Sequence, residues 1–189
     1  VANVARQMIT KFGMSDKIGP VALGQSQGGM FLGRDMSATR DFSEDTAATI
    51  DVEDEDIYLS AWYLKQNESM PWVMFVHGIR GCKADGSMLL PSGMLANAGF
   101  NVIVFDLRDH GESSIDDDRV SGGQDEWVDV IAVFDWLIDE QGADPDKIGV
   151  YGNSMGAGTA AIAFTLDDRL QSVWLESGYA DMGDIVVEE

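Results

Sequence analysis

The sequence has little of three things: cysteine, positive charge and long hydrophobic runs. Its one cysteine, Cys82, excludes an internal disulfide and leaves too few thiolates for a structural zinc site. Lys and Arg number 12 against 33 Asp and Glu, a net charge of -21 that should repel nucleic acid and anionic lipid. Neither a run of about 18 apolar residues nor a basic-then-apolar leader pattern occurs. We therefore expect a cytoplasmic protein with no nucleic-acid partner, no membrane partner and no metal or other cofactor.

Charge and tryptophan are unevenly distributed along the sequence. Its 189 residues, 45% of them hydrophobic, suffice for one domain and a fraction. Residues 1–53 carry a net charge of -2 and residues 54–189 a net charge of -19. All five tryptophans lie in the second part: Trp62, Trp72, Trp127, Trp136 and Trp174. This shift predicts a boundary near residue 53, where either an acidic linker begins or two sequences of different origin meet.

The first 53 residues predict a short α+β appendage. Apolar residues recur at helical spacing over 1–12, and two short apolar runs, 21–23 and 30–32, flank a glycine-rich stretch. Ser43, followed by two acidic residues, resembles a helix N-cap, so a helix is expected over 46–52. Such a piece buries too little to fold as a convincing independent domain.

Several stretches of this first segment carry a family resemblance. ARQMITKFGMS from Ala5, GPVALG from Gly19, FLGRD from Phe31 and DFS from Asp41 resemble the peptidase domain of FtsH-type ATP-dependent zinc metalloproteases. That family binds zinc through a His-Glu-x-x-His helix and a later acidic ligand. Residues 1–53 contain no histidine, so the resemblance brings no metal site and we expect no metalloprotease activity.

From residue 54 onward the pattern predicts alternating strands and helices. Apolar or alternating runs predict strands over 57–64, 72–77, 101–105, 147–151 and 170–175. Helical spacing predicts helices over 88–98, 124–140 and 155–166. The alternation indicates a three-layer α/β fold, a mostly parallel, doubly wound sheet with right-handed crossovers. Ligands of such sheets bind at the carboxyl ends of the strands, here the loops 77–87, 106–123, 152–155 and 176–184.

Two matches to Gly-x-Ser-x-Gly occur, and their contexts differ. Ser154, in Gly-Asn-Ser-Met-Gly, follows a predicted buried strand and opens a helix rich in small residues. Ser26, in Gly-Gln-Ser-Gln-Gly, follows only a brief apolar stretch and precedes another strand-like run. The strand–turn–helix context therefore favours Ser154 as a catalytic nucleophile. The alternative is a serine that caps an ordinary helix.

Acyl transfer also needs hydrogen-bond donors for the developing oxyanion. The backbone N–H of Met155, at the start of the predicted helix, is the first candidate. The glycine-rich loop after the strand 72–77 supplies the second, the N–H of Ile79 in preference to that of Gly78. His77 is expected to order this loop rather than to act as a base.

The second part as a whole resembles the α/β-hydrolase superfamily. The resemblance is carried by WYL at Trp62, FVHG at Phe75, FDLRDHGES at Phe105, DKIG at Asp146 and GNSMG at Gly152. It covers about 54–189 and implies an esterase- or peptidase-like hydrolase of small esters or amides. It also implies Ser154 as nucleophile, the amides of Met155 and Ile79 as the oxyanion hole, and the loop 106–113 as a wall of the site.

The sequence has no histidine after Ser154 that could serve as the catalytic base. In the family the triad acid and then the histidine follow the nucleophile, but His77 and His110 both precede Ser154. His110 as a substitute base and Asp181 as the acid are the weaker possibilities. We therefore expect a C-terminally truncated fold and an impaired serine hydrolase.

The expected truncation leaves a second function open. It would expose a sheet edge near 170–175, so a non-catalytic fragment that pairs with a partner or forms a homodimer is the alternative. Two interrupted families suggest a chimeric or misassembled gene. The acidic surface of the second part suits a salty habitat, such as a marine or metagenomic source.

Overall fold

Six strands and three α-helices alternate along residues 46–53 and 55–179, the part of the chain that the computed structural model describes. The strands are β1 Ala47–Asp51, β2 Tyr58–Leu64, β3 Trp72–Val76, β4 Asn101–Phe105, β5 Ile148–Asn153 and β6 Ser172–Glu176. The helices are α1 Gly86–Asn97, α2 Trp127–Asp139 and α3 Met155–Leu166. None of these helices has the length and apolarity that a membrane span requires. The predictions for residues 1–45 and for Asp181 lie outside the described residues.

The strands form one mixed sheet in the order β1-β2-β4-β3-β5-β6. Strand β2 pairs antiparallel with both β1 and β4, whereas β4, β3, β5 and β6 are mutually parallel. The predicted α/β architecture with a mostly parallel sheet is therefore confirmed. The two antiparallel pairings lie on the β1 side, and the predicted site loops follow the parallel strands.

Helices cover both faces of the sheet, which explains the continuous apolar runs in its central strands. All five residues of β4 are buried. On one face α2 and α3 contribute Val133, Phe134 and Ala160 to the larger core cluster. On the other face Met88 of α1 packs against Phe75 of β3 in a smaller cluster. The result is the predicted three-layer arrangement, with the sheet in the middle.

The helix predicted over 46–52 is wrong, because this segment forms strand β1. Thr49 lies opposite Ser60 in the antiparallel register with β2. Ile50 and Val52 are almost completely buried in the main core cluster. Pairing with β2 and burial of these β-branched residues outweigh the local capping pattern of Ser43. Strand β1 precedes the predicted boundary at 53, yet it belongs to the same sheet as the strands after it.

Strand β6 ends the sheet order opposite β1 and lies close to the predicted edge at 170–175. Trp174 is 66% exposed and Leu175 46% exposed, values high for such large apolar side chains. Among the described strands, β6 is thus the outermost on this side of the sheet. Homodimerisation through this edge stays a prediction.

Candidate active site

Ser154 occupies a sharp turn between β5 and α3 with an unusual backbone conformation. Its φ of 55° and ψ of -117° lie where residues other than glycine are rarely found, at a cost of about 1–3 kcal/mol. The Ser154 N–H donates to the carbonyl of Glu176 at the end of β6, at 2.9 Å. The Ser154 carbonyl accepts from Ala157 N at 3.0 Å and so joins the first turn of α3. The hydroxyl makes no capping bond to the helix, unlike the alternative of an ordinary capping serine.

The two glycines of the motif make this turn possible, because neither has room for a side chain. A Cβ atom on Gly152 would lie 2.3 Å from the carbonyl oxygen of Gly156. A Cβ on Gly156 would lie 2.2 Å from the carbonyl oxygen of Val76 in β3. Helix α3 therefore starts in direct contact with the ends of β3 and β5. A strained residue on a strand-to-helix turn is the geometry that exposes a nucleophilic hydroxyl above a sheet.

The loop after β3 packs directly against Ser154. A Cβ on Gly78 would lie 3.1 Å from the Cβ of Ser154. Gly81 N donates to Gly78 O at 3.0 Å and closes a four-residue turn through Ile79 and Arg80. Arg80 has a φ of 56° at the third position of this turn, as in a type II turn. The structure thus brings the segment of Ile79 next to Ser154.

Met155 flanks Ser154 on the other side. It is the first residue of α3 and is 2% exposed. Amide groups in the first turn of a helix have no partner within the helix, so the Met155 N–H is a donor at the positive end of the helix dipole. Both predicted oxyanion donors therefore belong to segments that meet at Ser154.

His77 is fully buried and both of its ring nitrogens are engaged. Nε2 accepts a hydrogen bond from Leu107 N at 3.1 Å, and Nδ1 lies 2.8 Å from the carbonyl oxygen of Gly78. An N–H can only donate and a carbonyl can only accept, so the proton resides on Nδ1 and the ring is neutral. Burial lowers the pKa of His77, which keeps it neutral. His77 therefore orders the loop, as predicted.

His110 packs beside His77, with 4.9 Å between the ring centroids. Its Nδ1 lies 2.8 Å from the carbonyl oxygen of Arg108. Within the described residues no hydrogen bond joins His110 to Ser154. The arrangement of His110 therefore gives no support to its possible role as a substitute base.

A buried ion pair next to the site was missed by the sequence analysis. The Lys83 ammonium group bonds Asp106 and also lies 2.9 Å from Glu112 Oε2. It sits 5.0 Å from the centroid of the Trp62 ring. Lys83 is 2% exposed and Asp106 0% exposed. One signal was available: Lys83 follows the glycine-rich loop in a part of the chain that has very few basic residues.

A second buried pair, between Arg108 and Asp129, fastens the loop after β4 to helix α2. Asp129 accepts from Arg108 N at 2.8 Å, Nε at 2.9 Å and Nη2 at 2.7 Å. The same guanidinium reaches Glu55, between β1 and β2, at 2.8 Å. Burial raises the pKa of Asp129 to about 6, although its bonds to Arg108 act in the opposite direction.

This raised pKa predicts a pH-dependent stability. Between pH 4 and 6 the folded chain retains a proton on Asp129 that the unfolded chain has released. The stabilisation is thus complete below the unfolded pKa of 3.8 and is lost as the pH rises through about 6. Relative to an Asp129→Asn variant, the wild type should gain up to about 3 kcal/mol as the pH falls from 7 to 4. Urea unfolding at each pH measures this difference.

A matched control for that measurement is Asp144→Asn, which removes a half-exposed carboxylate paired with Lys147. Exposed pairs contribute little to stability, so this variant should follow the wild-type pH profile. Parallel profiles for the wild type and Asp129→Asn would contradict the prediction.

A mostly parallel α/β sheet in which a strand turns through a strained serine into a glycine-lined helix is the architecture of the α/β hydrolases. The chain belongs to the α/β hydrolase fold family, since residues 71–187 match the sequence profile of that family.

Curated and solved relatives agree with this assignment. An uncharacterized 31.7 kDa protein of Escherichia coli, from the traX-finO intergenic region, is 32% identical over 135 residues, 70% of this chain and 46% of that protein. The esterase Pf2001 of Pyrococcus furiosus is 28% identical, with a TM-score of 0.60 over 70% of this chain and 50% of the esterase. Est1E of Butyrivibrio proteoclasticus is 20% identical, with a TM-score of 0.65. The match covers 74% of this chain and 55% of the Est1E chain, and it shows the fold alone. The chain spans about half the length of these relatives.

The first segment has relatives of a different kind. Residues 1–68 match the profile of peptidase family M41. The ATP-dependent zinc metalloprotease FtsH 3 of Synechocystis is 68% identical over 53 residues, 28% of this chain and 9% of that protein. The predicted resemblance is therefore confirmed. The match extends past the predicted boundary at 53 and includes strands β1 and β2.

Proposed function

We propose that this chain is part of a serine hydrolase that cleaves small esters or amides, with Ser154 as the nucleophile. The observation that carries the proposal is the backbone of Ser154, strained at φ 55° and ψ -117° between two glycines that have no room for a side chain. Strain of this kind persists where the surrounding structure enforces it, and it is concentrated at functional sites. The esterase Pf2001, at 28% identity, supports the same class of activity.

In the proposed reaction the Ser154 Oγ attacks the carbonyl carbon of the substrate and gives up its proton to a base. The carbonyl oxygen becomes an oxyanion, which accepts hydrogen bonds from the N–H groups of Met155 and Ile79. The bond to the alcohol or amine then breaks, and the leaving group departs with a proton. Water hydrolyses the acyl-serine and restores the hydroxyl.

The group that takes the proton of Ser154 determines the expected rate of hydrolysis. His77 has both nitrogens engaged, and in the described part of the chain His110 bonds Arg108 O and not Ser154. No histidine follows Ser154 in the given sequence. Within residues 46–53 and 55–179 no histidine is therefore placed to act as the base, and in the proposal solvent hydroxide takes the proton of Ser154. Loss of a triad base leaves a slow residual reaction that depends on binding and the oxyanion hole.

Labelling with a fluorophosphonate probe tests the proposal. We expect slow labelling of a single site, located at Ser154 by peptide mass mapping, at a rate that keeps rising from pH 7 to pH 10. A histidine base would instead give a plateau above its pKa of about 6.5. Chain unfolded in urea serves as the control and should not label.

Two results would contradict the proposal in different ways. A labelling rate that stops rising above pH 7 would show that a base within the chain takes the proton of Ser154. It would overturn the proposal that the activity is impaired. Absence of labelling up to pH 10 would overturn Ser154 as an activated nucleophile. The alternative, a non-catalytic protein that pairs through the exposed edge of β6, would then be favoured.

A further inference from the structure

The turn that carries the Ile79 amide is not held in place by its own side chains. Ile79 is 53% exposed, and Arg80 is exposed as well. The bond from Gly81 N to Gly78 O closes the turn but does not attach it to the rest of the fold. Apart from the packing of Gly78 against Ser154, the position of the turn is therefore set by the residues on its two sides.

Both sides are fastened to the residues that directly follow strand β4. On the N-terminal side, His77 Nε2 accepts from Leu107 N at 3.1 Å. On the C-terminal side, Lys83 bonds Asp106 twice, through its backbone N–H at 2.6 Å and through its ammonium group. Two consecutive residues, Asp106 and Leu107, thus hold the turn at both of its ends.

The Asp106 end of this attachment has little freedom to move. Its carboxylate also accepts from Glu112 N at 2.9 Å. Gly111, at a φ of 56°, passes so close that a Cβ there would lie 2.2 Å from Asp106 Oδ2. The Lys83 side chain is 3% exposed. A buried pair of this kind adds little net stability compared with apolar residues of the same volume, so stability alone does not account for it.

We propose that the Lys83–Asp106 ion pair is a positioning element that holds the Ile79 amide where the oxyanion forms. This role rests on the proposed function. Lys83 does not contact the substrate; it acts through the three residues that separate it from Ile79. A displacement of about 1 Å in a catalytic group lowers a rate by about 10²-fold, and loss of one oxyanion donor lowers it by about 10²–10³-fold.

The test measures labelling of Ser154 by the fluorophosphonate probe in three variants, at fixed pH and increasing probe concentration. Lys83→Met and Asp106→Asn should lower the rate at saturating probe by roughly 10- to 100-fold. The half-saturating concentration should stay unchanged, because the oxyanion donor acts on the transition state and not on binding. Lys83→Arg, which keeps the charge-assisted bonds to Asp106, should recover part of the rate.

Lys147→Met is the matched control. It also removes a lysine from a pair with an aspartate, Asp144, but this pair is half-exposed and lies at the short 3₁₀ helix before β5. We expect this variant to label at the wild-type rate.

Hydrogen exchange provides a second readout that needs no chemistry at Ser154. In Lys83→Met the amides of 78–83 should exchange faster, whereas those of β5 and α3 should keep their wild-type protection. Local acceleration in a chain whose wild type does not label would contradict the proposed function and still support the positioning of the turn. Unchanged labelling and exchange in a folded Lys83→Met variant would overturn the inference. Loss of folding in both Lys83→Met and Asp106→Asn would overturn it too, because the pair would then serve the whole fold.

Discussion

Replacing Ser154 by alanine should abolish fluorophosphonate labelling completely, whereas replacing Ser26 by alanine should leave it unchanged. Both serines stand in a Gly-x-Ser-x-Gly sequence, so the motif alone does not distinguish them. Ser154 has the strained backbone of a strand-to-helix turn, contact with Gly78 and the adjacent N-terminus of α3. The hydroxyl is the only group that the substitution removes, and no other residue is proposed to form the covalent bond. Intact-protein mass spectrometry after overnight incubation measures the effect.

The same pair of variants separates specific from general reactivity. Equal labelling of Ser154→Ala and wild type would show that the probe reacts with exposed hydroxyl groups at random. Loss of labelling in Ser26→Ala would assign the nucleophile to the first segment and overturn the proposed site. Thermal unfolding of both variants checks that a change in labelling does not follow from a change in folding.

Much of the fold could be predicted from the sequence because its parallel strands are buried on both faces. A strand covered by helices needs an unbroken apolar run, and β3 and β4 have one. Helix α3 begins at Met155 and ends at Leu166, as predicted, because the turn at Ser154 precedes it and Asp167 follows it. The position of Ser154 follows from the same local pattern of strand, glycine, serine and helix. Each of these inferences used residues adjacent in the chain.

The features that the sequence did not reveal depend on contacts between distant residues. The sequence before strand β1 has the pattern of a helix start, and the segment forms a strand because it pairs with β2. Lys83 and Asp106 are 23 residues apart, and Arg108 and Asp129 are 21 apart. No periodicity connects such positions, so their pairing becomes visible only when the sheet brings the loops together. Scarce positive charge was the one available hint, since five of the seven basic residues after residue 53 form ion pairs in the described part of the chain.

Replacing Gly156 by alanine, which adds a single methyl group, should strongly lower the free energy of unfolding. A Cβ at this position would lie 2.2 Å from the carbonyl oxygen of Val76 and 2.5 Å from that of His77. Both atoms belong to the backbone, so neither can rotate away, and α3 must move from the ends of β3 and β5. Overpacking typically costs about 1–3 kcal/mol, and the rigid neighbours place Gly156→Ala at about 3 kcal/mol or more. Urea unfolding measures the loss.

Gly93→Ala should have the opposite effect on stability, although it also replaces a glycine within a helix. Gly93 lies inside α1, and a Cβ there would meet nothing within 4 Å. Alanine is the better helix former, so this variant should gain about 0.5–1 kcal/mol. A Gly156→Ala variant that unfolds like the wild type would show that α3 does not contact the end of β3. The strained turn at Ser154 depends on that contact, so Ser154 would then have no structural basis as the nucleophile.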